Sequence, residues 1–221
     1  MNVIDALNAR FTVRDFGPEP VDSATILKIL DAATRAPSSG NSQPWELFVA
    51  GGDVLNRLRK GYEERFTAEK PGSPDLPAPQ RWPPTLQKRI EETKSARFEF
   101  MGIKHDDASR HAMLKRAHQL FGAKTVVYLC LDRTLTAWSI FDMGLLAQSV
   151  MLAAQHYGVD STVAAILVSY PDLIRAELEI PEDLLILIGI ALGHCEPHHP
   201  SNQYRSSRRP LQDVARLKGL S

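Results

Sequence analysis

From Ser139 to Tyr157 the residues Ile140, Met143, Leu145, Leu146, Val150 and Leu152 stand among small side chains. That pattern reads as one long helix that is apolar on several sides at once. Such a helix has to be surrounded, so it is expected at the centre of a core or of a subunit interface. Leu184 to Leu192 is almost purely aliphatic and reads as a buried strand, and Lys124 to Leu131 is a second apolar, β-branched strand. Helices and strands mix without a regular β-α-β repeat, which predicts an α+β fold with a small mixed sheet surrounded by helices. A chain of 221 residues buries about 70% of its unfolded surface. One domain over residues 1–221 is therefore expected.

Local signals place the other elements. Asn2 is positioned to cap a helix from Val3 to Ala9, and Asp22 or Ser23 to cap a second one in which Ile26, Leu27, Leu30 and Ala33 recur at helical spacing. Trp45 to Ala50 reads as a strand, closed by Gly51-Gly52, with Asp53 capping the next helix. From Pro71 to Pro84 there are six prolines, too many for a regular element. This marks a variable, Pro-rich and helical excursion at about 60–116. Its helical patterns run from Thr85 to Phe100 and from Asp107 to Leu120. Thr162 to Val168 reads as a strand edge or bulged segment, and Pro171 opens a short helix to Leu178.

Lys+Arg and Asp+Glu both number 26, so no global field draws the chain onto nucleic acid or an anionic membrane. Any anion site has to be local. The N-terminus has no basic region followed by a long apolar one, and no uncharged run of spanning length is read elsewhere, so export and membrane insertion are not expected. Cys130 and Cys195 lack Cys-x-x-Cys spacing. Reduced thiols in a cytoplasmic protein are expected.

Three constellations can carry chemistry. Arg10, Thr12 and Arg14 alternate along the chain and in extended backbone project to one side, around an anion such as phosphate; a solvated basic turn is the competing reading. Arg205, Arg208 and Arg209 form a second basic cluster, either a cationic tail or the other half of the same clamp. The loop Pro37-Ser38-Ser39-Gly40-Asn41-Ser42-Gln43-Pro44-Trp45 offers hydroxyls and carboxamides suited to the donor and acceptor edge of a flat heterocycle, or else a plain turn. The run His194-Cys195-Glu196-Pro197-His198-His199 concentrates nitrogen and sulfur, yet lacks the spacing of a structural zinc site, and no metal is expected. Ser38, Ser39 and Asp142 with a histidine would be a hydrolase reading, but no Gly-x-Ser-x-Gly elbow is present.

Taken in order, Arg10-Phe11-Thr12-Val13-Arg14, Arg35 through Trp45, Ser139-Ile140-Phe141-Asp142-Met143-Gly144, Ile188 through Gly193, and Arg205-Ser206-Ser207-Arg208-Arg209-Pro210-Leu211 resemble the nitroreductase superfamily of FMN-dependent oxidoreductases. The resemblance spans nearly the whole chain and is weakest from Lys60 to Arg116. It implies an interlocked α+β homodimer with two non-covalent FMN sites at the interface. Arg10, Thr12, Arg14, Arg205 and Arg208 would hold the phosphate. Pro37, Ser38, Ser39, Asn41 and Gln43 would meet the ring and ribityl chain, with Pro37 to Asn41 coming from the other subunit. Ala164 and Ala165 lie in the segment that supplies a backbone N–H beside flavin N5; Ala165-Ile166 replaces the Glu-Gly of many members, which bears on substrate choice.

The implied chemistry is electron transfer from NADH or NADPH through FMN to nitroaromatics, quinones or similar small electrophiles, in ping-pong order and with no catalytic protein nucleophile. A dehalogenase or dehydrogenase on the same scaffold is the alternative. Lys60, Arg65 and Lys70 are candidates for a cation near flavin N1 and C2=O. Tyr62, Phe66, Trp82, Phe98 and Phe100 are expected either as an aromatic lid over the site or as ordinary core.

Overall fold

The computed structural model describes residues 1–104 and 106–219. A four-stranded sheet, β1 (Glu46–Gly51), β2 (Thr125–Asp132), β3 (Asp160–Ala164) and β4 (Leu184–Gly193), has the order β1-β2-β4-β3. Every hydrogen-bonded pair in it is antiparallel, where a mixed sheet is expected from sequence. The reason lies in the crossover. Helix α6 (Ala137–His156) joins β2 to β3, which point the same way, but β4 inserts between them and leaves neither with a parallel neighbour.

Strand β2 is the central element. Its side chains alternate between two layers: Val126, Tyr128 and Cys130 face one core with Leu55, Leu58 and Tyr62 of α3 (Gly52–Thr67) and Ile174 of α7 (Pro171–Leu178). Val127, Leu129 and Leu131 face the other, with Met143, Leu146 and Val150 of α6 and Ile26, Ile29 and Ala33 of α2 (Ser23–Ala33). In β4 the alternation changes phase. The register steps from Leu129↔Ile188 to Cys130↔Ile186, so Leu187 is an extra residue in the strand. A bulge moves every later side chain to the opposite face: Ile186 joins the α3 layer, and Ile188, Ile190 and Leu192 the α6 layer.

Helix α6 is long and apolar enough to cross a membrane by length and composition, although Asp142 interrupts its uncharged run. Here it lies along α2 and the sheet, with Met143, Leu146, Val150 and Ala154 buried. Helix α1 (Val3–Ala9) has the Asn2 cap read from sequence, with the Asp5 side chain closing a capping box, and Asp22 caps α2 through the Thr25 backbone N–H at 2.9 Å. Helices α4 (Pro84–Phe100) and α5 (Asp107–His118) form the excursion. Its Pro-rich start is fastened to the body: Tyr170 Oη donates to the Lys70 carbonyl at 2.9 Å, and the Asp75 carboxylate accepts from Arg175 Nη2 at 2.6 Å and from the Ile186 N–H at 2.9 Å. Short helices α8 (Pro200–Gln203) and α9 (Leu211–Val214) end the chain.

Two glycines set the approach of loops to β4. A Cβ on Gly189 would lie 2.6 Å from Leu167 Cβ, and one on Gly193 would lie 2.8 Å from Phe16 Cδ1. The first allows the 3-10 turn Ala165–Val168, where a bulged strand continuation is expected, to rest on the sheet. The second seats the segment after Arg14 against the strand end. Each fixes the backbone next to a candidate site.

Candidate anion-binding site

The segment from Arg10 to Phe16 runs extended along the sheet edge. Val13 N–H donates to the Ser161 carbonyl at 3.2 Å, Thr162 Oγ1 donates to the Val13 carbonyl, and Phe16 N–H donates to the Phe121 carbonyl at 2.9 Å. Val13 is buried, and Arg10, Thr12 and Arg14, which alternate with it, line one cavity. The chain's end is brought to the same place by Asn202, a buried residue that sequence reasoning missed. Its Oδ1 accepts from the Arg14 and Asp15 backbone N–H groups at 2.8 and 3.3 Å, and its Nδ2 donates to the Asp15 and Glu196 carbonyls at 2.7 and 2.8 Å. One carboxamide thus ties the two basic clusters together. A lone Asn in a polar stretch gives no sequence signal of that role.

Between them lies a cavity of about 780 Å³. Arg10, Thr12, Arg14, Arg205 and Arg208 line it, as do Arg89, Lys94 and Arg97 of α4, none of which was singled out from sequence. Among the described residues seven cations therefore face one space, and no Asp or Glu lines it. Arg205 stacks with its Cζ 3.6 Å from the Phe11 ring centroid, a cation–π contact that orients it without neutralising it. Arg14 and Arg97 also form the wall between this cavity and a more apolar one of about 450 Å³. Burial, with the nearby Arg97 charge second, pulls Arg14 down to about 10, and burial likewise lowers Arg97. Arg97 Nε is buried without a hydrogen-bond partner among the described residues. A buried, unpartnered donor beside a second guanidinium is costly unless an anion supplies the missing acceptors. This donor set fits a phosphate: several charge-assisted donors and a hydroxyl, with no negative charge to repel it.

The hydroxyl and carboxamide loop is not in this cavity. Ser39 N–H donates to Asp142 Oδ2 of α6 at 3.1 Å, Ser38 Oγ accepts from the Gln43 N–H at 2.9 Å, and Gly40, Asn41 and Gln43 all adopt positive φ. The loop is fixed at the start of α6, with Asn41 and Gln43 exposed. Asp142 is spent on holding it, which leaves a hydrolase reading without its acid. Ala164 ends β3 and Ala165 opens the following turn, a short step from the Val13 contact, with Ala165 exposed. Among the described residues no group of three His, Cys, Asp or Glu is placed to hold a metal.

The remaining candidates lie away from this cavity. Arg65 closes on both oxygens of Asp172 at 2.6 and 2.5 Å and covers the Tyr170 ring, Lys60 faces Glu64 at 3.9 Å, and neither they nor Lys70 line the cavity. Arg65 is held away by the packing of α3 on α7, where Asp172 pairs with it. Of the five aromatics offered as a lid, Tyr62 and Phe98 are buried, the Tyr62 hydroxyl donating to the Leu167 carbonyl at 2.8 Å, and Phe66 stacks 4.5 Å from His118. Tyr62 and Phe66 are core because α3 packs against α5 and α7, and Phe98 is the buried residue of α4. Only Trp82 and Phe100 are exposed, and Phe100 meets Tyr204 edge-on at 5.7 Å.

The model of the nitroreductase family matches residues 7–194. The chain is 30% identical to nitroreductase NfnB of Mycolicibacterium smegmatis, covering 96% of this chain and 90% of that one. It is 29% identical to the nitrobenzene nitroreductase of Ectopseudomonas oleovorans, covering 95% and 93%. A crystal structure of an FMN- and NADPH-dependent nitroreductase NfnB from sphigopyxis sp. strain HMH superposes with a TM-score of 0.93 at 29% identity over the full length of both chains.

Proposed function

Because the chain belongs to the nitroreductase family, we propose that it is an NAD(P)H-dependent FMN oxidoreductase that reduces nitroaromatics, quinones or similar small electrophiles. The observation that carries this reading is the cavity that seven cations, and no Asp or Glu among the described residues, line. FMN is the family's carrier between a nicotinamide donor and an acceptor, taking hydride from one and passing two electrons to the other in turn on one face. Arg10, Thr12, Arg14, Arg205 and Arg208 hold its phosphate, and Arg97, partly buried in the wall, adds a charged donor whose Nε has no acceptor among the described residues. Ala164 and Ala165 present main-chain donors, which survive any side-chain change at this position.

The carboxamide loop completes the site from a second subunit. Pro37, Ser38, Ser39, Asn41 and Gln43 sit apart from the cavity of their own chain, and the molecule exposes apolar side chains that call for a partner. Trp138 and Phe141 at the start of α6 are 74% and 63% exposed, and Leu211 and Leu217 are 70% and 71% exposed. A homodimer that buries these surfaces carries the loop of one protomer to the cavity of the other. Each protomer forms one FMN-binding unit from residues 1–221, and the unpaired Cys130 and Cys195 suit the reducing cytoplasm.

The direct test is to purify the chain, read its flavin absorbance and mass in solution, and follow oxidation of NADH and NADPH with nitrobenzoates and quinones. A yellow dimer with ping-pong kinetics is expected. A colourless protein that does not take up added FMN would overturn the reading. Phe141→Glu is expected to give monomers that release flavin, because both the interface and the borrowed loop are lost.

A further inference from the structure

The cavity holds more positive charge than one phosphate uses, and the excess comes from a single element. Residues 89, 90, 93, 94 and 97 recur at helical spacing and place Arg89, Lys94 and Arg97 on the face of α4 that lines the cavity. They differ in depth. Arg97 is partly buried at the wall, whereas Arg89 and Lys94 are exposed at the rim. On the neighbouring face Lys88 lies 3.8 Å from Glu92, so α4 does carry carboxylates, but they are directed away from the cavity.

Depth separates two kinds of ligand. A group that stays bound gains from partly buried, pre-oriented donors such as Arg14 and Arg97. A ligand that enters and leaves in each turnover suits mobile, hydrated cations at a rim, which attract strongly charged groups and release them readily. The exchanging ligands here are the nicotinamide donor and the acceptor. NADPH differs from NADH by a ribose 2'-phosphate, a monoester carrying nearly two charges at neutral pH. Dinucleotide sites that favour NADH commonly set an Asp or Glu against the free 2'-hydroxyl, and among the described residues no Asp or Glu lines this cavity.

We propose that Arg89 and Lys94 form a second anion subsite that takes the 2'-phosphate of NADPH and makes this chain selective for NADPH over NADH. The inference rests on the flavin reading above. It assigns α4 a specificity role within the excursion that resembles the family least.

The test titrates the flavin-loaded protein calorimetrically with adenosine 2',5'-bisphosphate and with AMP, reading flavin absorbance in the same sample. The bisphosphate is expected to bind at least about tenfold tighter, roughly one charge-assisted contact. Lys94→Ala and Arg89→Ala should bring the two affinities to within about twofold while AMP binding and flavin content stay unchanged, and Lys94→Arg should keep the preference. The NADPH-to-NADH ratio of kcat/KM should fall in parallel. Equal affinities in flavin-loaded wild type, or variants that weaken both probes alike, would overturn this inference and leave the flavin reading standing. Absence of flavin would overturn both.

Discussion

Arg116 and Arg175 each end on a carboxylate, whereas Arg14 and Arg97 end on none. Arg116 holds Asp15 through Nε at 2.6 Å and Nη2 at 2.8 Å. Arg175 and Arg133 share Asp75 at 2.6 and 3.0 Å. These guanidinia lock elements together: the chain's N-terminal segment to α5, and the Pro-rich excursion to α7 and β4. In the cavity the guanidinia face one another across open space. The same residue type closes the fold in one region and leaves an anion to be supplied in the other. The difference is read from what lies opposite each arginine, not from the arginine itself.

The largest effect is expected on the closed side. Asp75→Ala leaves the buried Arg175 with only the exposed Glu182 carboxylate at 3.4 Å, which costs about 3 kcal/mol and lowers Tm by roughly 6–12 °C in a domain of this size. Flavin content of the folded fraction should be unchanged. Loss of flavin without loss of stability would erase the distinction between the regions. Acid should weaken the same joint. Burial alone would raise the Asp75 carboxyl, but the hydrogen bonds from Arg175, Ile186 and Arg133 outweigh it and hold it below the usual range. Its stabilisation is therefore complete above the ordinary carboxylate pKa and is lost as pH falls through the lowered value.

Next comes the open side. Arg14→Ala is expected to fold normally and to bind FMN about 10- to 150-fold more weakly, the equivalent of about 1.5–3 kcal/mol for one charged contact. Full flavin occupancy in that variant at sub-micromolar FMN would remove Arg14 from the phosphate site. In apoprotein Arg14 stays charged at neutral pH and loses its proton only as pH rises through about 10, so phosphate affinity should be flat across the physiological range on the protein's side.

The smallest effect sharpens the comparison most. Arg97→Leu removes a partly buried charge that nothing offsets in the apoprotein, so its Tm should rise by about 2–4 °C, corresponding to about 1 kcal/mol, while FMN affinity drops. The trade runs the opposite way from Asp75→Ala. A fall in apoprotein Tm would mean that Arg97 is a structural residue like Arg175.

What the sequence made legible was local. Caps such as Asn2 and Asp22, the aliphatic runs of β2 and β4 and the two basic clusters are written in neighbouring residues, and the order of family motifs carried the fold. What it hid was set by distance. Arg89, Lys94 and Arg97 lie in a charged helix whose cavity face emerges only when α4 folds over the chain termini. Asn202 acts across 188 residues on Arg14. The phase change in β4 depends on which residue opposes Cys130, and the antiparallel sheet on β4 entering between β2 and β3. Arg65 had the right charge and a better partner in Asp172.

The central claim is that the open cations hold a phosphate, and flavin with and without one tests it most directly. Apoprotein titrated with FMN and with riboflavin should bind FMN more than about 100-fold tighter, since at least two charged contacts of about 1.5–3 kcal/mol each depend on the phosphate, and added salt should narrow that gap. Equal affinities for the two flavins at low salt would contradict it.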